Sequence, residues 1–431
     1  MKVLVTGAGG FIGSAIVECL LEQGHAVVAC VRERNNLPPS PRLNTDLVDL
    51  STRLDANDWM EVLDGVDAVV NAAGILRENR PGDFDRIHHQ APLALAEACV
   101  RRKIRRFVQI SALGHPDDGA FVASKHRLDA DLLAMPGLEA IVLRPSVVVS
   151  LRGAYGGTSM LRAMAALPLV LFLPGPGQQK IQPLLLEDLC GLVLQGLQDP
   201  HGRSAVVDAV GPEVLTLKDY LLATRRWLKL PEPSLIVSVP MGLVRLAGRL
   251  GDLLRAGPLG QTMTRMLERG NVSPGSPADQ TDSGATEMRS VSASLAQSAS
   301  FVQDRWHARL YWLGPMAWLA LVVIWLVSAL SGLVADAVEF GPVLDRMGVP
   351  LAWQPVLVLS TAALNLALGI ALLLRIWLAR VLALMWICVL AYSLGLGLLV
   401  PELWLEPIGG LVKNLALLVL IPVVMVLENR R

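Results

Sequence analysis

A chain of 431 residues is longer than one hydrophobic core organises, and a mean hydropathy of +0.48 with 53% apolar residues is high for a protein that lies wholly in water. Lysine plus arginine equal aspartate plus glutamate at 38 each, so there is no basic footprint and nucleic acid is excluded as a partner. The five cysteines (Cys19, Cys30, Cys99, Cys190, Cys388) are scattered without a C-x-x-C pair, which excludes a thiolate metal site and reads as buried thiols in a reducing compartment.

Met1 and Lys2 lead directly into an apolar run, Val3 to Val5, which predicts a buried first strand with no signal peptide before it. Three glycines follow at spacing G-x-x-G-x-x-G (Gly7, Gly10, Gly13), then an amphipathic helix carrying Ile16, Val17, Leu20 and Leu21. Strand, glycine turn and helix in that order predict a dinucleotide site. Gly7 makes the turn, Gly10 clears the approach of a pyrophosphate, and Gly13 lets the helix lie close on the sheet, while Phe11 and Ile12 open the helix whose N-terminal amides meet the phosphates. The second strand is predicted over His25 to Val31. Arg32 and Arg34 follow it with Glu33 between them. Basic residues here suit a ribose 2′-phosphate and an acid suits the hydroxyl, which favours NADP(H) through Arg32 and leaves NAD(H) open through Glu33. Asp49-Leu50 closes a short third strand, with Asp49 either reaching an adenine amino group or capping the helix near Trp59. The fourth strand, Asp67 to Val70, runs into Asn71-Ala72-Ala73-Gly74, small residues that let a cofactor approach the backbone.

His88 and His89 are adjacent, so they point to different helix faces and read as solvated residues rather than a metal pair. The fifth strand, Ile104 to Ile110, ends at Ser111, and Ser124-Lys125 lies on the next helix. These are the two flanks of a hydride-transfer site. The sixth strand, Ile141 to Val149, is interrupted by Arg144-Pro145-Ser146, and Pro145 predicts a break in the ladder beside a nicotinamide. In the segment that follows, Leu167 to Leu173 is too short to span a membrane, and Glu187-Asp188 reads as a helix cap. Val239-Pro240 to Leu254 reads as an amphipathic helix with Arg245 and Arg249, for a membrane surface or for the core. Asn271 to Ser300, rich in small and polar residues, reads as a linker or loosely packed extension.

Trp306, Tyr311 and Trp312 with Arg305 and Arg309 mark a water–lipid boundary. Four apolar spans are expected beyond it: about 311–334, 353–374, 379–400 and 409–427. Arg305, Arg309, Arg375, Arg380, Arg430 and Arg431 fall on one side. Asp336, Glu339, Asp345, Glu402 and Glu406 fall on the other, with Arg346 and Lys413 as its cations. The positive-inside rule then predicts a multi-pass inner (plasma) membrane protein with its N-terminal domain and C-terminus in the cytoplasm. Asn365 and Lys413 are the polar residues nearest the spans; Asn365 reads as helix glue and Lys413 as snorkelling, with a quinone contact the alternative.

Over residues 1 to about 265, the stretches TGAGGFIG, VDAVVNAAG, VQISALG, ASK and LRPSVVV resemble, in order, an extended or atypical short-chain dehydrogenase/reductase, and within it the group of the NADPH-binding accessory subunit of respiratory complex I. The resemblance implies that Lys125, of the Y-x-x-x-K pattern, binds the nicotinamide ribose and that Ser111 polarises a carbonyl. The tyrosine that would donate the proton is replaced by Phe121. A ring without a hydroxyl is no general acid, and such proton transfer is worth roughly 10² to 10⁴ in rate. Tyr155, in the loop Gly153 to Gly157, is the replacement hydroxyl to consider. The C-terminal part resembles a DoxX-like four-helix membrane domain through its span number and WLEPIGGLVKN. Some relatives of that type imply a quinone or a respiratory complex as partner.

The sequence thus predicts an α/β fold of the Rossmann type, a doubly wound parallel sheet over 1–160 with a small substrate lobe over 161–269, a linker over 270–304, and a four-helix transmembrane bundle over 305–431. The expected cofactor contacts are Gly7, Gly10, Phe11, Ile12, Gly13, Arg32, Asp49, Leu50, Asn71, Ala72, Ala73, Lys125 and Pro145, with Ser111 and Lys125 at the reacting end and no metal. The expected function is an NAD(P)H-dependent oxidoreductase acting on an unknown small carbonyl or quinone-type substrate at the membrane lipid. A non-catalytic NADP(H)-binding sensor or assembly factor of a respiratory membrane complex is the alternative. A channel or transporter is disfavoured, since the spans carry almost no charge.

Overall fold

The computed structural model describes the chain apart from residues 34–36, 201, 254–259, 276–287, 335–336, 406–409 and 429–431. It divides into two compact units, Met1–Ala308 and Arg309–Arg431.

The first unit opens with β1 (Lys2–Thr6), α1 (Phe11–Glu22), β2 (Ala26–Val31), β3 (Leu43–Leu47) and β4 (Ala68–Asn71). A short α2 (Asp83–Asp85) passes through a π-helical turn, Arg86–Gln90, into α3 (Ala91–Arg101). Then come β5 (Arg106–Ile110), α4 (Ala120–Ala134) and β6 (Glu139–Pro145). These six strands and one later strand form a parallel sheet in the order β11-β6-β5-β4-β1-β2-β3, where β11 is Ala205–Ala209. The order reverses between β1 and β4, the place where open α/β sheets bind ligands.

Alternation explains the two layers. Leu4, Val28, Val69, Phe107 and Ala140 face one core with Leu95, Leu128 and Leu132 of α3 and α4. Val3, Val5, Val70, Val108 and Ile141 face the other with Ile16 and Leu20 of α1. A parallel strand covered on both faces has no polar side, which is why these strands read as continuous apolar runs.

The break expected at Pro145 is present. β6 ends there, and Val148–Val149 forms a separate strand, β7. The chain continues through α5 (Gly157–Ala165), β8 (Val170–Pro174), β9 (Lys180–Ile181), β10 (Leu184–Leu185), which pairs with β7, and α6 (Leu186–Gln198). α6 packs Leu189 and Val193 on the sheet's second core and delivers the chain to β11, a seventh strand that the sequence pattern does not announce. Next are β12 (Leu215–Thr216), α7 (Leu217–Trp227), β13 (Leu235–Val239), α8 (Met241–Leu253) and α9 (Gln261–Arg269). The apolar run at 167–173 is mostly β8, paired in parallel with β13.

Two expectations fail in the later half of this unit. Asp188 caps nothing: it accepts from the backbone N–H of Arg289 and from its guanidinium at 2.7 to 2.9 Å. The described parts of 271–300 are not a loose linker either. Asn271 bridges Ile181, and α10 (Val291–Gln297) buries Val291 and Leu295 in a third core with Leu171 and Leu221.

α11 (Val302–Val334) carries the chain into the second unit, where α12 (Ala337–Arg346), α13 (Gln354–Leu373), α14 (Leu378–Leu399) and α15 (Val412–Glu428) follow. Among the described residues three helical stretches are long and apolar enough to cross a membrane: Val302–Val334, Leu351–Leu373 and Leu378–Leu399. The fourth expected span corresponds to α15, which has 17 residues and follows residues outside those described. Leu321 and Trp325, Leu368 and Leu372, Met385 and Val389, and Ile421 and Val424 bring α11, α13, α14 and α15 into one core. The interhelical hydrogen bond expected of Asn365 is made instead by Asn414, whose Nδ2 donates to Ser393 Oγ at 3.1 Å. Lys413 is exposed.

Candidate functional site

The glycine turn is closed by backbone contacts that leave no room for side chains. Gly7 has φ +65°, and a Cβ there would lie 2.7 Å from Ala73 Cα and 2.8 Å from the Ala72 oxygen. The backbone of Ala72 and Ala73, in the loop after β4, therefore lies against the turn because Gly7 carries no Cβ. A Cβ on Gly13 would lie 2.1 Å from the Gly7 oxygen, so Gly13 is required by the turn's own carbonyl rather than by the sheet. Gly10 is exposed and precedes a helix with no side-chain cap and no acid in its first turn. The first-turn amides, at Phe11 and Ile12, are thus left for an anion. This cradle fits a dinucleotide pyrophosphate.

Arg32 and Glu33 stand exposed directly after β2, while Arg34 lies outside the described residues. Asp49 lies two residues beyond the end of β3, not at it. Its Oδ1 accepts from Ser51 N at 3.0 Å and Ser51 Oγ at 2.8 Å, capping the 3-10 turn Leu50–Thr52, and Leu50 is buried. The turn at Trp59 is capped by Asp55 instead. Asn71 is buried and its side chain is used inside the sheet: Thr6 Oγ1 donates to Asn71 Oδ1, and Asn71 Nδ2 donates to Gln109 Oε1 at 2.6 Å. It ties β1, β4 and β5 together beneath the switch point and offers no side-chain atom to a cofactor.

Phe121, Lys125 and Asp129 stand at i, i+4 and i+8 on α4, one face of the helix. Lys125 Nζ donates to the Ile110 oxygen at 2.8 Å and lies 5.9 Å from the centre of the Phe121 ring. Burial pushes its ammonium down to about 8, against the opposing charge of Asp129. Gly74 gives it room, since a Cβ there would approach Nζ to 3.3 Å. Ser111 follows β5 and donates through Oγ to Asp129 Oδ2 at 2.8 Å, which also accepts from Arg144 Nε at 2.9 Å. Asp129 thus locks the ends of β5 and β6 to α4. The sequence reading missed it, although its helical spacing from Lys125 was there to be read.

His88 is the clearest correction. It is 2% exposed, not solvated. Its Nε2 accepts from Ile75 N–H at 2.9 Å, which places the ring proton on Nδ1, 2.9 Å from Ser124 Oγ. Burial, aided by Lys125, depresses its pKa to about 2, so the ring is neutral. Phe84 stacks on it at 5.2 Å and Phe121 meets it edge-on at 5.5 Å. The signal lay in the stripe Phe84, His88, Ala91, Leu95, which has helical spacing. His89 instead meets Asp131 at 2.6 Å. Tyr155 is exposed and stacks on Phe11 at 6.4 Å, beside the glycine turn; no described contact joins it to Lys125.

Residues 3–207 match the NAD dependent epimerase/dehydratase family, and residues 322–422 match the DoxX-like family. Dihydroflavonol 4-reductase of Arabidopsis thaliana is 36% identical over 124 residues, 26% of this chain and 32% of that protein. A 3 beta-hydroxysteroid dehydrogenase/Delta 5→4-isomerase of Mycobacterium tuberculosis is 36% identical over 119 residues, 26% of this chain and 31% of that one. The chain spans about a fifth to a third of the length of the curated relatives it matches. Among solved structures, MoeE5 in complex with UDP-glucose and NAD superposes with TM-score 0.51 at 21% identity over 72% of this chain and 99% of that one. The UDP-glucose 4-epimerase of Thermus thermophilus in complex with NAD gives TM-score 0.51 at 19% identity over the same shares. These likenesses show the fold. The three apolar helices and the DoxX-like match mark a membrane-associated protein. The chain thus joins a domain matching the NAD dependent epimerase/dehydratase family at 3–207, built on a Rossmann-like parallel sheet, to a DoxX-like domain at 322–422.

Proposed function

We propose that the chain is a membrane-anchored oxidoreductase that uses NADP(H) in preference to NAD(H) on a carbonyl or quinone-type substrate. One observation carries the reading: the closed glycine cradle, Lys125 and Ser111 stand together at the ends of β1, β4 and β5. The reductases and dehydrogenases among the similar proteins support it. A bound nicotinamide nucleotide supplies hydride chemistry. The Lys125 ammonium, held by the Ile110 carbonyl, is suited to a ribose hydroxyl. Phe121 supplies an apolar wall and no proton, which leaves Ser111 and Lys125 as the protic groups nearest the strand ends.

The same residue favours a second reading, an NADP(H)-binding sensor or assembly factor of a respiratory complex that does not turn over. Full-length protein in liposomes, assayed for NADPH oxidation against a panel of carbonyls and quinones, separates the two. Turnover supports the oxidoreductase; tight NADPH binding without turnover across the panel supports the second reading.

The N-terminal unit and C-terminus are assigned to the cytoplasmic side of an inner (plasma) membrane. Arg375 pairs with Glu428 at 3.0 Å and Arg346 with Glu402 at 3.8 Å, which supports the alternation of helix ends on which the arginine count rests. Asp336, Glu406, Arg430 and Arg431, also used in that count, lie outside the described residues.

A further inference from the structure

α8 presents an apolar stripe that none of the described residues covers. Leu243, Leu246 and Leu250, spaced i, i+3 and i+7 on one helix face, are 57%, 50% and 47% exposed. The opposite side of α8 is the packed one: Gly248 is buried, and a Cβ there would stand 2.9 Å from Thr264 Oγ1 of α9. The leucines are therefore an outward face of a helix already seated. Arg245 and Arg249 are exposed on the same helix, Arg245 reaching Glu268 at 2.7 Å. The acid of α8, Asp252, is turned to Arg77 at 3.4 Å and to the N–H of Gln261. Phe172 and Leu235, on the paired strands β8 and β13 that lead into α8, are exposed as well.

Arg245 and Asp252, i and i+7, share the packed side of the helix, where each has its own partner, while Arg249 flanks the leucines. A helix with leucines on its outward face, no unpaired acid on that face and an arginine at its flank has the composition of one that lies in a headgroup layer. The occupant of this face follows from the chain itself. Three of its helices are long and apolar enough to cross a bilayer. A lipid surface is thereby held at high effective concentration for every molecule, whereas a second copy has to be met by diffusion. We infer that the Leu243–Leu246–Leu250 face of α8 docks on the surface of an anionic bilayer, with Arg249 against lipid phosphates and the leucines at the acyl boundary. The inference rests on membrane attachment and not on turnover.

The test uses full-length protein in liposomes of phosphatidylcholine and phosphatidylglycerol. Cys19 and Cys388 are replaced by alanine, leaving the buried Cys30, Cys99 and Cys190. One new cysteine, Leu246→Cys or the exposed Glu97→Cys on α3, carries an environment-sensitive fluorophore. Doxyl-labelled lipid is expected to quench position 246 several-fold more than position 97, and less in phosphatidylcholine alone. Leu243→Glu with Leu250→Glu should abolish that quenching while nucleotide binding and vesicle flotation persist. Equal quenching at 246 and 97 in protein that floats with the vesicles would overturn the inference. So would fluorescence at 246 that ignores the lipid and changes on dilution, which assigns the face to a second copy. Failure to float would instead indict the membrane reading itself, and absence of NADPH oxidation alone would touch only the oxidoreductase.

Discussion

In the proposed oxidoreductase Phe121 sets what the site can do, because it would stand where the resemblance implies a phenol. Its ring already packs edge-on against His88 and Phe84. Phe121→Tyr adds one oxygen to a half-buried wall, so the variant is expected to fold and to gain carbonyl reduction with NADPH, measurable as a rate rising about 10²-fold or more over wild type. Unchanged rates in a wild type that already turns over would assign the proton to another group. Lys125 gives a pH signature. Its free-state pKa is pushed down to about 8, so above that pH nucleotide binding must take up a proton, and affinity should fall as pH rises through about 8 instead of near 10.5. Lys125→Arg should remove that inflection from the titration. His88 works in the opposite range. Its folded pKa of about 2 lies below the ordinary 6.5, so the unfolded chain binds the extra proton between them. Stability is present in full above about 6.5 and is lost as pH falls, by up to about 1.4 kcal/mol per pH unit. His88→Gln, which keeps an acceptor for Ile75 and a donor for Ser124, should flatten that acid limb in thermal melts. Arg32→Ala should weaken NADPH by about 1.5 to 3 kcal/mol with little change for NADH, the range for a hydrogen bond to a charged group. Equal affinities for the two nucleotides in wild type would contradict the preference.

At the scale of elements, what could be read from the sequence was whatever local chemistry fixes. The glycine turn is legible because a strand end, three bare backbone positions and a helix start admit one geometry. The break at Pro145 is legible because proline cannot donate to a ladder. His88 is misread as solvated because its role depends on a partner in a different element, Ile75 on the loop before the helix, while the side chains of Asp49 and Asn71 are held by Ser51 in the next turn and Gln109 on the next strand. The stripe Phe84, His88, Ala91, Leu95 aims His88 inward, while the π-helical turn Arg86–Gln90 that carries it has no sequence signature of its own. β11 escaped notice because its residues are mostly only partly buried, as befits an edge strand. Gly13→Ala tests the turn as an element. A methyl 2.1 Å from a backbone oxygen cannot be accommodated by a rotamer change, so nucleotide binding should fall by at least about tenfold, whereas Gly153→Ala, with nothing within 4 Å, should be neutral in the same titration.

For the whole molecule, composition alone separated a water-facing α/β part from an apolar helical part, and the boundary between Ala308 and Arg309 falls within the aromatic and basic stretch that marked it. Burial could not be read that way: Arg289 and Val291 belong to a segment whose composition is that of a linker, yet they are pinned by Asp188 and by the third core. The arginine asymmetry predicts that a cysteine placed at Arg380 is labelled only from the cytoplasmic side and one at Asp345 only from outside; the reverse pattern would invert the topology. The most direct measurement of all is a fluorescence titration of NADPH into the full-length protein in lipid, because cofactor binding at the glycine turn and Lys125 underlies every functional reading. Saturable binding to wild type is expected, at least about tenfold weaker in both Lys125→Ala and Gly13→Ala. No saturable binding to wild type, or an unchanged affinity in Lys125→Ala, would contradict it.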